Sequence, residues 1–95
     1  MTDSATFMLA AIQAAPVLFD RDASTEKACA LIEQAASKGA TFAAFGEAWL
    51  PGYCNFTDYP SDPRRLPVAA RYLASAVEVP SPTTDKLCRA ARAAG

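Results

Sequence analysis

The residue whose position points most directly to chemistry is Glu47, in the stretch AAFGEAWLPGYCNF, residues 43–56. It is the one charged side chain in an apolar and aromatic run, and acidic residues are rarely buried without a partner. Such an acid is either a solvated loop residue or a functional group. We expect its apolar neighbours to desolvate the carboxylate and make it a stronger base, as general base catalysis requires.

The absence of histidine from the chain limits the other chemistry that it could perform. No Ser-His or Cys-His catalytic arrangement can form within it, so a general base must be a carboxylate, a lysine or a tyrosine. The three cysteines, Cys29, Cys54 and Cys88, are odd in number and widely spaced. This argues against a disulfide framework and against a zinc site. We interpret all three as small apolar residues.

The composition indicates a folded, water-soluble protein. Of the 95 residues, 52% are apolar and 20% are charged, which argues against disorder. The formal net charge is -1 and the basic residues are scattered, so no nucleic-acid partner is expected. No apolar run approaches the ~20 residues that a membrane helix needs. No basic segment precedes FMLAAI, as a signal peptide would require, so we expect a cytoplasmic protein without membrane contact.

The first half of the chain predicts a βαβ unit. FMLAAIQ (residues 7–13) and TFAAF (residues 41–45) are apolar runs typical of strands buried on both faces. Between them, helical spacing places Ala28, Leu31, Ile32, Ala35 and Ala36 on one face and Glu26, Lys27, Glu33, Gln34 and Lys38 on the other. Asp22 or Ser24 is the expected N-cap, and Gly39 the expected stop. Glu47 then follows the carboxyl end of the second strand, where open α/β sheets bind ligands.

The second half predicts a turn and two further helices. Pro51 and Gly52 suit the central positions of a turn in LPGY. One helix is expected to begin near Pro67, and Ser81 is expected to cap the last helix, with Pro82 in its first turn. The residues expected to face inward are Ala70, Leu73 and Val77 for the first, and Leu87, Cys88 and Ala91 for the second. Because two strands cannot cover three helices, we expect residues 1–95 to be the amino-terminal portion of a larger α/β domain.

Several segments together resemble a known family. AAIQAAPVLFD, KACALIEQAASKGA and FAAFGEAWLPGY, in this order and spacing, resemble the beginning of the nitrilase, or carbon–nitrogen hydrolase, superfamily. VEVPSPTTDKLCRAARAAG is similar to the segment that leads into that family's third strand. GEAWLPGY favours the nitrilase branch over the amidase and carbamoylase branches. The resemblance implies an α-β-β-α sandwich that forms homodimers or larger homo-oligomers and uses no metal or organic cofactor.

The resemblance also implies a reaction on a small nitrile or amide with a Glu, a Lys and a Cys. The thiol attacks the nitrile carbon to give a thioimidate, water releases ammonia to leave a thioester, and a second water yields the acid. Glu47 matches the general base, and Tyr53 matches an aromatic residue that lines the substrate pocket. Trp49 is expected either to face the substrate or to pack under the loop. The family's lysine and nucleophilic cysteine come further downstream, so the chain alone is expected to be inactive.

Two alternatives remain open at this point. The first is an amidase or carbamoylase of the same superfamily, because the residues that distinguish these activities are mostly downstream. The second is a non-catalytic α/β interaction module in which Glu47 is a surface acid.

Overall fold

The computed structural model describes residues 6–52 and 61–95. Its elements, in chain order, are β1 (Leu9–Ala11), α1 (Arg21–Ser37), β2 (Phe42–Ala44), α2 (Arg65–Ala74) and α3 (Pro82–Ala94). The two strands pair in parallel, with Leu9 opposite Phe42. The predicted α/β class and βαβ unit are therefore confirmed, although both strands are shorter than expected. No helix among the described residues is long and apolar enough to cross a membrane.

Only one face of the two-stranded sheet is covered in the described part of the chain. Ala43 and Phe45 lie with residues of α1 and α3 around a small cavity. The alternate residues Leu9 and Phe42 are 55% and 64% exposed. The expectation of strands buried on both faces is thus wrong for the described residues, because successive side chains point to opposite faces and the helices cover one of them.

Helix α1 has the predicted apolar stripe but a different N-cap. Asp20 Oδ1 accepts the Ala23 N–H at 3.0 Å, so neither Asp22 nor Ser24 caps the helix. The predicted stop at Gly39 is confirmed by its φ of +92°. Of the predicted stripe, Ala28 and Ala35 are buried and Leu31, Ile32 and Ala36 are half-buried, whereas the five residues predicted for the other face are exposed.

Helix α3 packs alongside α1. Ser81 caps it as predicted: its hydroxyl accepts the Thr84 N–H, and the Thr84 hydroxyl accepts the Ser81 N–H, with Pro82 following the cap. Lys86 Nζ lies 3.0 Å from Glu26 Oε1 and joins α3 to α1. The predicted inward face is correct in part. Leu87, Cys88 and Ala91 all line an apolar groove, but only Leu87 is half-buried, and the other two are exposed.

Helix α2 begins at Arg65, and its predicted inward face is correct in part. Val77, beyond the end of the helix, is half-buried and lines the groove as predicted, whereas Ala70 and Leu73 are exposed. Tyr72, which was not predicted to face inward, is also half-buried and lines the same groove. Its amphipathic side chain can pack its apolar ring and leave its hydroxyl at the surface.

Candidate functional site

Glu47 lies in the loop formed by residues 45–52, which leaves the sheet at its carboxyl edge. The parallel pairing ends at a bond from the Ile12 N–H to the Ala44 carbonyl oxygen, 2.8 Å long. Glu47 follows three residues later and is the one charged residue of the loop. The sequence therefore placed the carboxylate correctly, just beyond the carboxyl end of the second strand. Loops at this edge are the usual position for ligand-binding groups in open α/β sheets.

The environment of Glu47 differs from the expected one. Its side chain is exposed, and the described residues give it no hydrogen bond or ion pair. The expectation that its apolar neighbours desolvate the carboxylate is therefore wrong for residues 6–52 and 61–95. The neighbouring apolar side chains turn under the loop instead, which leaves the carboxylate accessible to a molecule from outside.

Trp49 is the residue that turns most completely under the loop. It is 8% exposed, and its indole Nε1–H donates to the carbonyl oxygen of Ala14 at 2.8 Å. The indole ring packs against Phe45, with ring centroids 5.0 Å apart and an angle of 58° between the ring planes. Of the two roles expected for Trp49, the structure displays the packing role. Whether the exposed remainder of its ring also contacts substrate stays a prediction.

The backbone of the loop forms a tight turn that closes on the preceding segment. Ala48 has a φ of +52° and Gly52 a φ of +88°. The Gly52 N–H donates to the Ala48 carbonyl oxygen at 3.0 Å. A Cβ atom on Gly52 would lie 2.5 Å from Leu18 Cδ1. The left-handed conformation is therefore the main reason for glycine at this position, because Leu18 Cδ1 is the end of a side chain that is 55% exposed and can move aside. The predicted LPGY turn extends to Tyr53, outside the described residues.

That preceding loop, residues 12–20, is itself attached to α1. The fully buried Ser24 accepts the Val17 N–H at 3.0 Å and donates its own O–H to the Val17 carbonyl oxygen at 2.9 Å. Sequence reasoning missed both Ser24 and Ala14 as parts of the site. Ser24 gave one usable signal, because it extends the apolar stripe of α1 by one turn and is polar. Ala14 gave none, since it acts through a backbone carbonyl that any residue would supply.

An apolar groove of about 620 Å³ lies beside the loop. Its walls come from α1, α3, the end of α2 and residues 48–51, and include Ile32, Trp49, Tyr72 and Leu87. Glu47 is not among the residues that line it. The groove and the carboxylate are thus neighbouring features of one loop, and the described residues do not bring them into a single pocket.

Of the two cysteines in the described residues, Cys29 has the surroundings of a packing residue and Cys88 does not. Cys29 Sγ lies 3.8 Å from the Lys86 carbonyl oxygen. Burial, with a further contribution from the Glu26 charge, raises the pKa of the Cys29 thiol, so little of it is thiolate at neutral pH. Cys88 is exposed on α3. Cys54 and the expected substrate-lining residue Tyr53 lie outside the described residues.

Within the described ranges, no group of three or more His, Cys, Asp or Glu side chains could hold a metal ion. The candidate site in residues 6–52 centres on the exposed side chain of Glu47, on a loop at the carboxyl edge of the parallel sheet.

These features define an α/β protein with a carboxylate just beyond the carboxyl edge of a βαβ unit. Residues 8–95 match the family described as Carbon-nitrogen hydrolase. The chain belongs to this family, and the resemblance found in the sequence is confirmed.

Named relatives agree with this assignment. Over 87 residues, or 92% of the chain, it is 52% identical to a protein from an unknown prokaryotic organism named Nitrilase 2, and it covers 28% of that protein. It is 37% identical, over 92% of its length, to the bromoxynil-specific nitrilase of Klebsiella pneumoniae subsp. ozaenae, and covers 25% of it. It is 38% identical to a nitrilase of Pseudomonas syringae pv. syringae, again over 92% of its length and 26% of the relative. The chain thus spans about a quarter of the length of these relatives.

Proposed function

We propose that this chain contributes the general base, Glu47, to a nitrilase, a hydrolase that converts a nitrile into a carboxylic acid and ammonia. The observation that carries the proposal is the position of Glu47: it is the one charged residue of a fixed loop at the carboxyl edge of the sheet, with its side chain exposed. The names of the similar proteins support the nitrile as substrate. Family membership supports hydrolysis of a carbon–nitrogen bond.

In the proposed mechanism, Glu47 removes the proton from a cysteine thiol as the sulfur attacks the nitrile carbon. The proton moves to nitrogen, which gives a thioimidate. Glu47 next takes a proton from water as that water adds to the same carbon, and passes the proton to nitrogen. The remaining hydroxyl proton also moves to nitrogen as the carbonyl of the thioester forms, and ammonia leaves. A second water, activated in the same way, releases the acid from the thioester and regenerates the thiol. The cysteine and the charge-stabilising lysine would come from polypeptide outside the present sequence, and no metal or organic cofactor is needed.

The proposal extends to the fold and the assembly of the complete protein. A second sheet packed on the exposed strand face of Leu9 and Phe42 would complete an α-β-β-α sandwich and cover those side chains. We also propose that the complete protein forms a cytoplasmic homo-oligomer. Tyr53 is proposed to line the substrate pocket, on the same loop sequence as Glu47.

The test is turnover of the complete protein with Glu47→Gln. The amide keeps the size of the side chain but cannot accept a proton, and positioned bases contribute ~10²- to 10⁴-fold to rate. This corresponds to ~3 to 5 kcal/mol of barrier. Glu33→Gln, which changes an exposed acid on α1, is the matched control and should keep the parent rate. Circular dichroism and size measurement check that both variants fold and assemble.

Ammonia, acid and amide are measured with a nitrile and with the corresponding amide as substrates. Loss of nitrile hydrolysis in the Gln variant alone supports the proposal. A Gln variant that retains more than about a tenth of the parent rate has lost under ~1.4 kcal/mol, which would make Glu47 a surface acid. A parent that hydrolyses the amide and leaves the nitrile intact would place the protein with the amidases.

A further inference from the structure

We propose that Trp49 is a positioning residue for Glu47, and that its indole N–H, bonded to the Ala14 carbonyl oxygen, fixes the loop that carries the base. The inference rests on the proposed role of Glu47. The role proposed for Trp49 differs from substrate contact and depends on one atom pair, indole Nε1 and the Ala14 carbonyl oxygen.

The first step is that the polar group of Trp49 is already in use. A substrate-facing indole would offer its N–H to the ligand, whereas this N–H donates to Ala14 at 2.8 Å and the side chain is 8% exposed. A buried indole that loses its acceptor carries a desolvation cost, so the bond holds the side chain where it is. The ring contact with Phe45, the residue that follows β2, holds the same side chain from the sheet.

The second step is that the acceptor lies on a held segment. Ala14 stands between β1, which is paired with β2, and Val17, whose N–H and carbonyl oxygen are both bonded to the buried Ser24. The bond from Trp49 therefore connects the Glu47 loop to a part of the chain that is fixed at both ends. Such a bond can fix the position of the Glu47 loop, whereas a bond to an unattached loop could not.

The third step is that Glu47 has nothing else in the described residues to hold it. Its carboxylate has no hydrogen bond or ion pair there, so its position follows from the backbone of residues 45–52. Trp49 is two residues further along the same turn. A displacement of ~1 Å at a reacting group can reduce a rate by ~10²-fold, so loss of this bond should reduce the rate although Trp49 touches no reacting atom.

The test compares two substitutions at position 49 in the complete protein, with ammonia release as the assay. Site-specific incorporation of benzothienylalanine replaces the indole N–H by sulfur and keeps the shape of the ring. Incorporation of 5-fluorotryptophan keeps the N–H. We expect the sulfur isostere to lower kcat by about 10- to 100-fold with KM within about twofold, for both a small and a large nitrile. The fluorinated ring should keep the parent kcat.

Three further proteins separate the explanations. Trp49→Phe should reproduce the loss in kcat, and Ser75→Ala, which removes a buried hydroxyl bonded to Arg71 of its own helix at 2.9 Å, should keep the parent kcat. Glu47→Gln combined with Trp49→Phe should have nearly the same kcat as Glu47→Gln alone. Displacing position 47 cannot lower the rate further once the side chain there no longer acts as a base.

Each contrary result has a distinct meaning. If the sulfur isostere keeps the parent kcat while Glu47→Gln is inactive, the positioning role is wrong and the proposed base stands. If the isostere raises KM more for the large nitrile than for the small one, Trp49 is a substrate contact. If Glu47→Gln retains the parent rate, the proposed base fails, and this inference with it.

Discussion

Ser24 satisfies both backbone polar groups of Val17 with a single hydroxyl. Its oxygen accepts the Val17 N–H at 3.0 Å, and its O–H donates to the Val17 carbonyl oxygen at 2.9 Å. The serine is fully buried, one turn before Ala28 on the same side of α1. Through this pair of bonds the first turn of the helix holds the loop after β1, and that loop in turn holds Trp49.

Replacing Ser24 with Ala should destabilise the fold. The Val17 N–H and carbonyl oxygen lose their shared partner at a part-buried position, and each lost hydrogen bond costs roughly 0.5–1.5 kcal/mol of unfolding free energy. Equilibrium urea unfolding of the complete protein measures the change. The matched control is Ser37→Ala, whose exposed hydroxyl donates to the Gln34 carbonyl oxygen at 2.6 Å, and it should stay within about 0.5 kcal/mol of the parent. Equal effects of the two substitutions would show that the Val17 bonds are not a source of stability.

Replacing Gly52 with Ala should disturb the Glu47 loop for two separable reasons. The new Cβ would lie 2.5 Å from Leu18 Cδ1, and a non-glycine residue at a φ of +88° adds ~1–3 kcal/mol of strain. We expect a lower Tm and a lower rate of nitrile hydrolysis. Adding Leu18→Ala relieves the contact but not the strain, so the double variant should recover the rate only in part. Full recovery would mean that the backbone conformation adds nothing.

The stability of the segment that begins α2 should fall at acidic pH because Asp62 becomes protonated. Hydrogen bonds from the Arg64 side chain and backbone N–H lower the pKa of Asp62 from 3.8 to about 2. Because the pKa is lower in the folded protein, the stabilisation is complete above the ordinary value and is lost as the pH falls through about 2. Carboxyl ¹³C NMR titration measures the pKa of Asp62 directly. Arg64→Gln should raise the pKa of Asp62 in part, since the backbone N–H bond remains; an unchanged pKa would contradict the assigned cause.

The 95-residue chain by itself should self-associate. Leu66 and Leu73 on α2 are 67% and 70% exposed, and they add to the uncovered strand face of Leu9 and Phe42. Exposed apolar patches favour aggregation. Leu66→Lys with Leu73→Lys should reduce light scattering on heating, whereas Ala28→Lys, at a site 2% exposed, should increase it by unfolding the chain. A monomeric chain with a cooperative transition of ordinary enthalpy would contradict this expectation.

Local signals in the sequence predicted the fold well where neighbours in the chain decide the structure. The stripe of α1, the glycine stop at Gly39 and the cap at Ser81 depend on residues within one or two turns, and all three are confirmed. The N-cap of α1 was predicted wrongly because Ser24, a good capping residue, is taken up by Val17 seven residues away. The inward face of α2 was predicted only in part: Val77 lines the groove, whereas Ala70 and Leu73 are exposed.

In the candidate site, too, features set by nearby residues were predicted and features set by distant contacts were not. The place of Glu47 in the chain follows from the order of strand, helix and strand, which the sequence displays. Its exposure does not, because exposure depends on what packs around the loop. The bond from Trp49 to Ala14 could not be predicted from the sequence either. Every residue has a backbone carbonyl, so residue type does not identify the acceptor. The distance between donor and acceptor also depends on how the two strands are aligned.

The β1–β2 register therefore affects the position of Glu47. Moving one strand by a single residue would displace Ala14 relative to Trp49 by ~3.3 Å, more than a hydrogen bond can absorb. The indole–carbonyl bond therefore requires the present number of residues between β1 and Ala14 and between β2 and Trp49. A residue inserted or deleted between Ala11 and Ala14, or between Ala44 and Trp49, would leave the sheet intact and put the carboxylate out of place. Loops usually tolerate changes in length, but in these two the number of residues is itself part of the site.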